Sequence, residues 1–181
     1  MPITKPLRWV LAGAMTALIG ASTGTIAIAA PPPARPGLVI EAFDLFDTSA
    51  DHRAFMVADQ KRWLAEGAAR MAHVIRADGK VTVIDSPASR RRIAAIAHDY
   101  QHPSTCRSCI IAAARQLGAR YVFIGSVHKV SDLIIYMRGE LDRIGDPRPL
   151  MVRSMEVKAD NRTMILRAAG TMAAAVEHHL G

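Results

Sequence analysis

The pattern of apolar and polar positions divides this chain into short strands and longer helices. "LVIEAF", residues 38–43, is a brief apolar run between Pro36-Gly37 and Asp44, as a buried strand requires. "DLFDTSAD", residues 44–51, predicts a polar loop. Over residues 53–77, Val57, Leu64, Ala68, Met71 and Ile75 share one face of a long helix. Gly79 suits the left-handed position that ends it. "VTVID", residues 81–85, is a second strand, and Ser86-Pro87 opens a second helix that runs to about Tyr100.

"QHPST" breaks that helix, and a third begins at Cys106, with Ser104 or Thr105 as its cap. Cys106, Ile110, Ala113 and Leu117 form its apolar stripe, and Gly118 ends it. Residues 120–130 read as a strand, and Ser131-Asp132 as a tight turn. Leu133, Ile135, Met137 and Leu141 then alternate with Ile134, Tyr136, Arg138 and Glu140, the mark of a half-buried antiparallel strand. Residues 150–157 form a last strand, and Asp160 or Asn161 caps a closing helix that reaches His179. The order β-α-β-α-α-β-β-β-α predicts an α/β fold with a mixed sheet. Its first half is parallel through helical crossovers, and its C-terminal part is an antiparallel meander.

The N-terminus follows a different pattern. Lys5 and Arg8 precede an apolar run from residue 9 to 19, then small and hydroxyl residues, then Ala27-Ile28-Ala29. That is the layout of a secretory signal peptide over residues 1–29, with ordinary Sec export and cleavage after Ala29. The run is short and rich in Gly and Ala for a membrane span, so none is expected after cleavage. Residues 30–37, "APPPARPG", are a stiff Pro-rich tether, and residues 38–181 are long enough for one compact domain. The protein is expected in the periplasm.

The net charge of +7 falls to +5 once Lys5 and Arg8 are removed. The remaining basic residues are scattered apart from Arg90, Arg91 and Arg92, which read as a solvated face. Aromatic residues make up 5% of the chain, and no nucleic-acid-binding motif is present, so nucleic acid is not expected as a partner.

The two cysteines, Cys106 and Cys109, stand in "HPSTCRSC". Export to an oxidising compartment favours a structural disulfide. The spacing and the helix start keep a thiol–disulfide redox role open. Against it, a whole helix separates the motif from the preceding strand, and Cys106 lies on the apolar stripe. A metal site would need more ligands, with His102, His98 and His128 as weak candidates beside the cysteines. Ile110 after Cys109 excludes covalent haem attachment. His178 and His179 are adjacent on a helix and do not chelate together easily. Asp44, Asp47 and Asp51 follow the first strand, where a divalent cation is conceivable, but capping and loop chemistry explain them better. No phosphate loop, H-E-x-x-H motif or nucleophile–base motif appears, so neither a catalytic residue nor a cofactor is expected. The preferred recognition surface is the hairpin around His128, Lys129, Ser131 and Asp132.

Cys106, Cys109, Ala114, Leu117, Gly118, Ala119, Gly125, Val127, Lys129, Val130, Ser131, Leu133 and Ile134 carry a resemblance. Together they match the pattern of a family of predicted secreted proteobacterial proteins without an assigned function. "FDLFDTS" near the first strand also fits it. The chain departs from the pattern after its last strand, where "VKADNRTMILRAAG" stands. More remotely, the plan is similar to the amino-terminal domain of TolB and to CsgG-like domains. These relationships imply a periplasmic, non-catalytic module that docks an envelope protein. The alternative is a thiol–disulfide or metal-binding protein working through Cys106 and Cys109.

Overall fold

The computed structural model describes residues 34–50 and 53–180. The expected signal segment, residues 30–33 of the tether, and Asp51 lie outside the described residues. The elements are β1 (Gly37–Ile40), β2 (Asp44–Asp47), α1 (Ala54–Asp78), β3 (Thr82–Val83), α2 (Pro87–Asp99), a 3-10 turn (Pro103–Thr105), α3 (Arg107–Gln116), β4 (Tyr121–Lys129), β5 (Ile135–Arg143), β6 (Met151–Val157) and α4 (Arg162–His179). They form the mixed α/β fold that the residue pattern implied, with one strand more.

The sheet runs β3-β1-β4-β5-β6, and β2 also pairs with β4. β1 pairs in parallel with residues 121–123, and β2 pairs in parallel with residues 126–129. The two strands therefore lie end to end along one edge of β4, interrupted at Glu41, Ala42 and Phe43. β4, β5 and β6 form the antiparallel meander. β2 corrects the polar loop expected at residues 44–51. Its side chains lack strand alternation, but its main chain bonds β4 and its carboxylates find partners elsewhere in the fold.

Helices cover both faces of the sheet. On one face, Leu64, Met71 and Ile75 of α1 and Ile165, Met172 and Val176 of α4 pack with Phe123, Val127, Met137 and Leu141. On the other, Ile110 and Ala114 of α3 pack with Val39, Val122 and Ile124, flanked by Ile93 and Ile96 of α2. Paired Gly125 and Gly139 make the first of these cores fit. The ring of Phe43 occupies the space that a Cβ on Gly125 would need. A Cβ on Gly139 would lie 2.7 Å from the Phe123 ring and 2.6 Å from Met172 Sδ. The two rings meet edge to face with centroids 5.7 Å apart.

Most helix ends follow the expected chemistry. Gly79 takes φ 75° at the end of α1. Ser86 Oγ accepts from the Ser89 amide at 3.1 Å to open α2. Asn161, not Asp160, caps α4, accepting from the Met164 amide at 3.0 Å. The start of α3 differs from expectation. Pro103 initiates the 3-10 turn, and Thr105 Oγ1 donates to the His102 carbonyl at 2.7 Å, so neither Ser104 nor Thr105 caps α3. The connection between β4 and β5 also differs. β5 begins at Ile135, leaving Leu133 outside the strand and 74% exposed, although alternation places it on the buried face. Among the described residues no helix is long and apolar enough to cross a membrane.

Glu41, at the interruption between β1 and β2, is 6% exposed, and its Oε2 has no hydrogen-bond partner among the described residues. Burial, and then the charge of Asp44, raise its carboxyl from 4.5 to about 8. The folded chain therefore holds a proton that the unfolded chain releases near pH 4.5. The contribution to stability is fully present below that value and is lost as pH rises through 8. Unfolding in urea is expected to show stability falling by a few kcal/mol between about pH 4.5 and 8. Glu41→Gln is expected to flatten that slope and to stabilise the protein at pH 8.

Candidate functional site

The last residue of β4 is a buried cation. Lys129 is 1% exposed, and its Nζ lies 2.9 Å from Asp160 Oδ2, 2.9 Å from Asp132 Oδ1 and 4.0 Å from Asp47 Oδ2. Gln60 of α1, itself buried, donates to the same Asp160 oxygen. Thr48 donates to the Lys129 carbonyl through its amide at 2.9 Å and its hydroxyl at 3.2 Å. Asp47 Oδ1 accepts from the Ser49 amide and hydroxyl. Burial alone would lower the Lys129 pKa, but Asp160 and Asp132 outweigh it and hold the ammonium above its usual value. Lys129, named in the expected recognition hairpin, ends β4 with its side chain buried. Its side chain turns inward because three carboxylates converge on it from β2, the β4–β5 connection and the segment before α4.

The connection beyond Lys129 is apolar at its surface, and its backbone is hydrogen-bonded throughout. Val130 and Ser131 donate their amides to the Ile134 carbonyl at 2.9 and 3.2 Å. Ser131 Oγ accepts from the amides of Leu133 and Ile134 at 3.3 and 3.1 Å. The Asp160 amide donates to the Asp132 carbonyl at 3.2 Å. Val130, Leu133 and Ile134 are exposed, as is Tyr136 at the start of β5. His128 is exposed on β4 and stacks on Phe46 with ring centroids 4.5 Å apart. His102 stacks on Phe46 as well, with centroids 4.1 Å apart.

Cys106 and Cys109 are joined by a disulfide with their Cα atoms 5.3 Å apart. Both are partly exposed, so Cys106 does not sink into the core as its stripe suggests. The Tyr100 hydroxyl lies 3.5 Å from Cys109 Sγ. Between the cysteines, Arg107 forms ion pairs with Glu140 and Asp142 of β5. Asp142 is 1% exposed, and its hydrogen bond to Arg107 is the leading cause that raises the Arg107 pKa, against the effect of burial. The bridge thus holds the start of α3 where Arg107 reaches the sheet. Among the described residues, no group of three or more His, Cys, Asp and Glu side chains is placed to hold a metal ion. Of the metal candidates, the cysteines are in the disulfide, His102 and His128 stack on Phe46, and His98 is exposed on α2. His179 Nδ1 lies 2.8 Å from the Ala175 carbonyl. Asp44 Oδ2 accepts from the Ser104 amide at 2.6 Å.

Sequence reasoning missed Arg107, Asp142, Asp160, Gln60 and Phe46. Only Arg107 carried a local signal, as a charged residue enclosed by the two cysteines. The partners of the others come from segments far away in the chain.

Lys129→Met is expected to cost about 3–5 kcal/mol in urea unfolding, because it strands buried carboxylates. Adding Asp160→Asn is expected to recover part of that loss. At the other end of β5, the paired change Cys106→Ser/Cys109→Ser is expected to cost about 2 kcal/mol, since the closed loop is short. Arg107→Ala is expected to cost at least as much by leaving Asp142 unpaired, and adding Asp142→Asn to relieve it, both read from the same unfolding curves.

No curated protein matches the chain. Among solved structures, the LpoB C-terminal domain from Salmonella enterica is 16% identical with a TM-score of 0.47, the match covering 69% of this chain and 84% of that one. TolB from Acinetobacter baumannii is 13% identical with a TM-score of 0.45, covering 84% of this chain and 30% of that one. The PelC dodecamer from Paraburkholderia phytofirmans is 15% identical with a TM-score of 0.42, covering 81% and 87%. A family model does match, over residues 37–175, and takes in nearly all of the described domain. The chain belongs to that family, DUF3280, described as "Protein of unknown function (DUF2380)".

Proposed function

We propose that this protein is an exported, non-catalytic binding module that docks an envelope protein through the β4–β5 connection. One observation carries the reading. Val130, Leu133 and Ile134 are 50%, 74% and 45% exposed on a connection whose backbone is hydrogen-bonded at both ends. Exposed apolar residues gathered at one place are typical of protein-binding surfaces. A backbone already fixed loses little conformational entropy on binding. Lys129 supports this surface from below, and His128, Ser131 and Asp132 supply its polar rim. The signal-like residues 1–29 favour the periplasm, with a mature chain that begins at Ala30.

The partly exposed sulfurs of Cys106 and Cys109 favour a second reading, thiol–disulfide exchange. A reduction potential in the range of structural disulfides, below about −300 mV, excludes it.

A photo-crosslinking residue in place of Leu133, in the full chain expressed in cells, is expected to join one reproducible envelope protein. The same probe at exposed Arg167 on α4 is expected to give no adduct. Leu133→Asp with Ile134→Asp is expected to abolish partner capture while changing stability by about 0.5 kcal/mol or less per site. Capture that survives these substitutions excludes the hairpin as the docking surface. N-terminal sequencing of the exported chain tests the start at Ala30.

A further inference from the structure

β3 ends after two residues, and the sheet stops short at this edge. Past the ends of β1 and β3, α1 and α2 face each other across a cavity of about 490 Å³. This lies within the usual range of small-molecule sites, about 300–1,000 Å³. It also sits at the C-terminal ends of parallel strands, where open α/β sheets bind ligands. α1 contributes Ala65, Ala68, Ala69 and Ala72, one helical face with no polar side chain, and α2 contributes Ile93 and Ala94 beside Ser89 and Arg90. The α1 wall is therefore smooth and apolar.

Glu41 lines the same cavity. It is 94% buried by the 6% exposure given above, and its Oε2 has no hydrogen-bond partner among the described residues. An unsatisfied buried carboxyl costs about 1–3 kcal/mol and is a place where a ligand group gains most. Asp44 adds negative charge from the β2 side. Asp85 and Arg90 lie at the α2 end, where Arg90 donates to the Asp85 carbonyl and Arg76 pairs with the Asp85 carboxylate. α1 places no titratable side chain in the wall. An anionic ligand meets the charge of Asp44 unfavourably, and that of Glu41 once its carboxyl ionises near pH 8. A neutral one makes a single hydrogen bond. A cationic head donates to Glu41 and compensates its charge.

We propose that this cavity is a binding site for a primary aliphatic amine, with its hydrocarbon chain against the alanine face of α1 and its ammonium group on the Glu41 carboxylate. Binding releases the Glu41 proton to solvent, since that carboxyl is neutral below about pH 8 in the free protein. The site is separate from the β4–β5 connection and stands whether or not that surface docks a partner.

The test is calorimetric titration of the exported protein with n-octylamine below its micelle-forming concentration, with n-octanol and octanoate as controls. Saturable one-to-one binding of the amine is expected, at least about tenfold tighter at pH 8 than at pH 6. Octanol is expected to bind about tenfold more weakly and without pH dependence, and octanoate not to bind. Glu41→Gln, checked for folding by its melting curve, is expected to reduce the amine to the octanol level. Ala68→Leu with Ala69→Leu is expected to fill the cavity and remove both. Absence of saturable amine binding to the unsubstituted protein overturns the proposal. So does equal affinity for amine and alcohol, or amine binding that persists in the filled variant.

Discussion

A single ammonium group at the end of the central strand sets the arrangement around it. A charge removed from water is tolerated only where opposite charges and hydrogen bonds replace the water. Lys129 meets that condition through Asp160, Asp132 and Asp47, contributed by three separate segments, and Gln60 brings in α1 as a fourth. Moving any one of these segments would expose a neighbour to an uncompensated charge. β2 therefore stays on β4, the β4–β5 connection holds one shape, and the entry to α4 is located against α1. The apolar tip is tied to the polar centre beneath it through Asp132.

β4 is the element on which the other constraints meet. It carries β1 and β2 in succession along one edge and β5 along the other. Where its two parallel partners are interrupted, Phe43 turns under Gly125, and Gly139 opposite leaves room for the Phe123 ring. β5 is held near both of its ends, through the Lys129 network at its start and through Arg107 on Asp142 near its finish. The disulfide serves the second of these attachments, since it holds Arg107 in the turn that reaches the sheet. A loop closed over so few residues removes little chain entropy, so its value lies in that local geometry.

The interruption that admits Phe43 also places Glu41 in the interior, where one of its oxygens has no hydrogen-bond partner among the described residues. The short β3 leaves an alanine-walled space beside it. Two chemically different surfaces result. One is an exposed apolar tip on a fixed backbone, suited to another protein. The other is an open, alanine-walled cavity with one buried carboxyl, to which we assign a small cation with an apolar body.

The helices and the meander were legible in the residue pattern because each depends on local periodicity. The stripe through Leu64, Met71 and Ile75, the Ser86 cap and the Gly79 stop act within a few residues of themselves, and β4, β5 and β6 show their character in adjacent positions. The closeness of Cys106 and Cys109 in sequence already made their pairing the favoured expectation. Other features depended on contacts between distant segments. β2 looks like a polar loop because its strand character comes from the main chain of β4, and Asp44 and Asp47 are satisfied by Ser104, Ser49 and Lys129. Lys129 looks like a surface residue until Asp160, thirty-one positions later, is brought beside it. Leu133 looks like a core residue until the turn carries it into solvent. By itself the sequence determined the helices, every strand except β2, and the split into a parallel first half and an antiparallel meander. Tertiary structure decided which charges are buried and which apolar side chains are exposed, because electrostatic compensation and burial act between residues that only the folded chain makes neighbours.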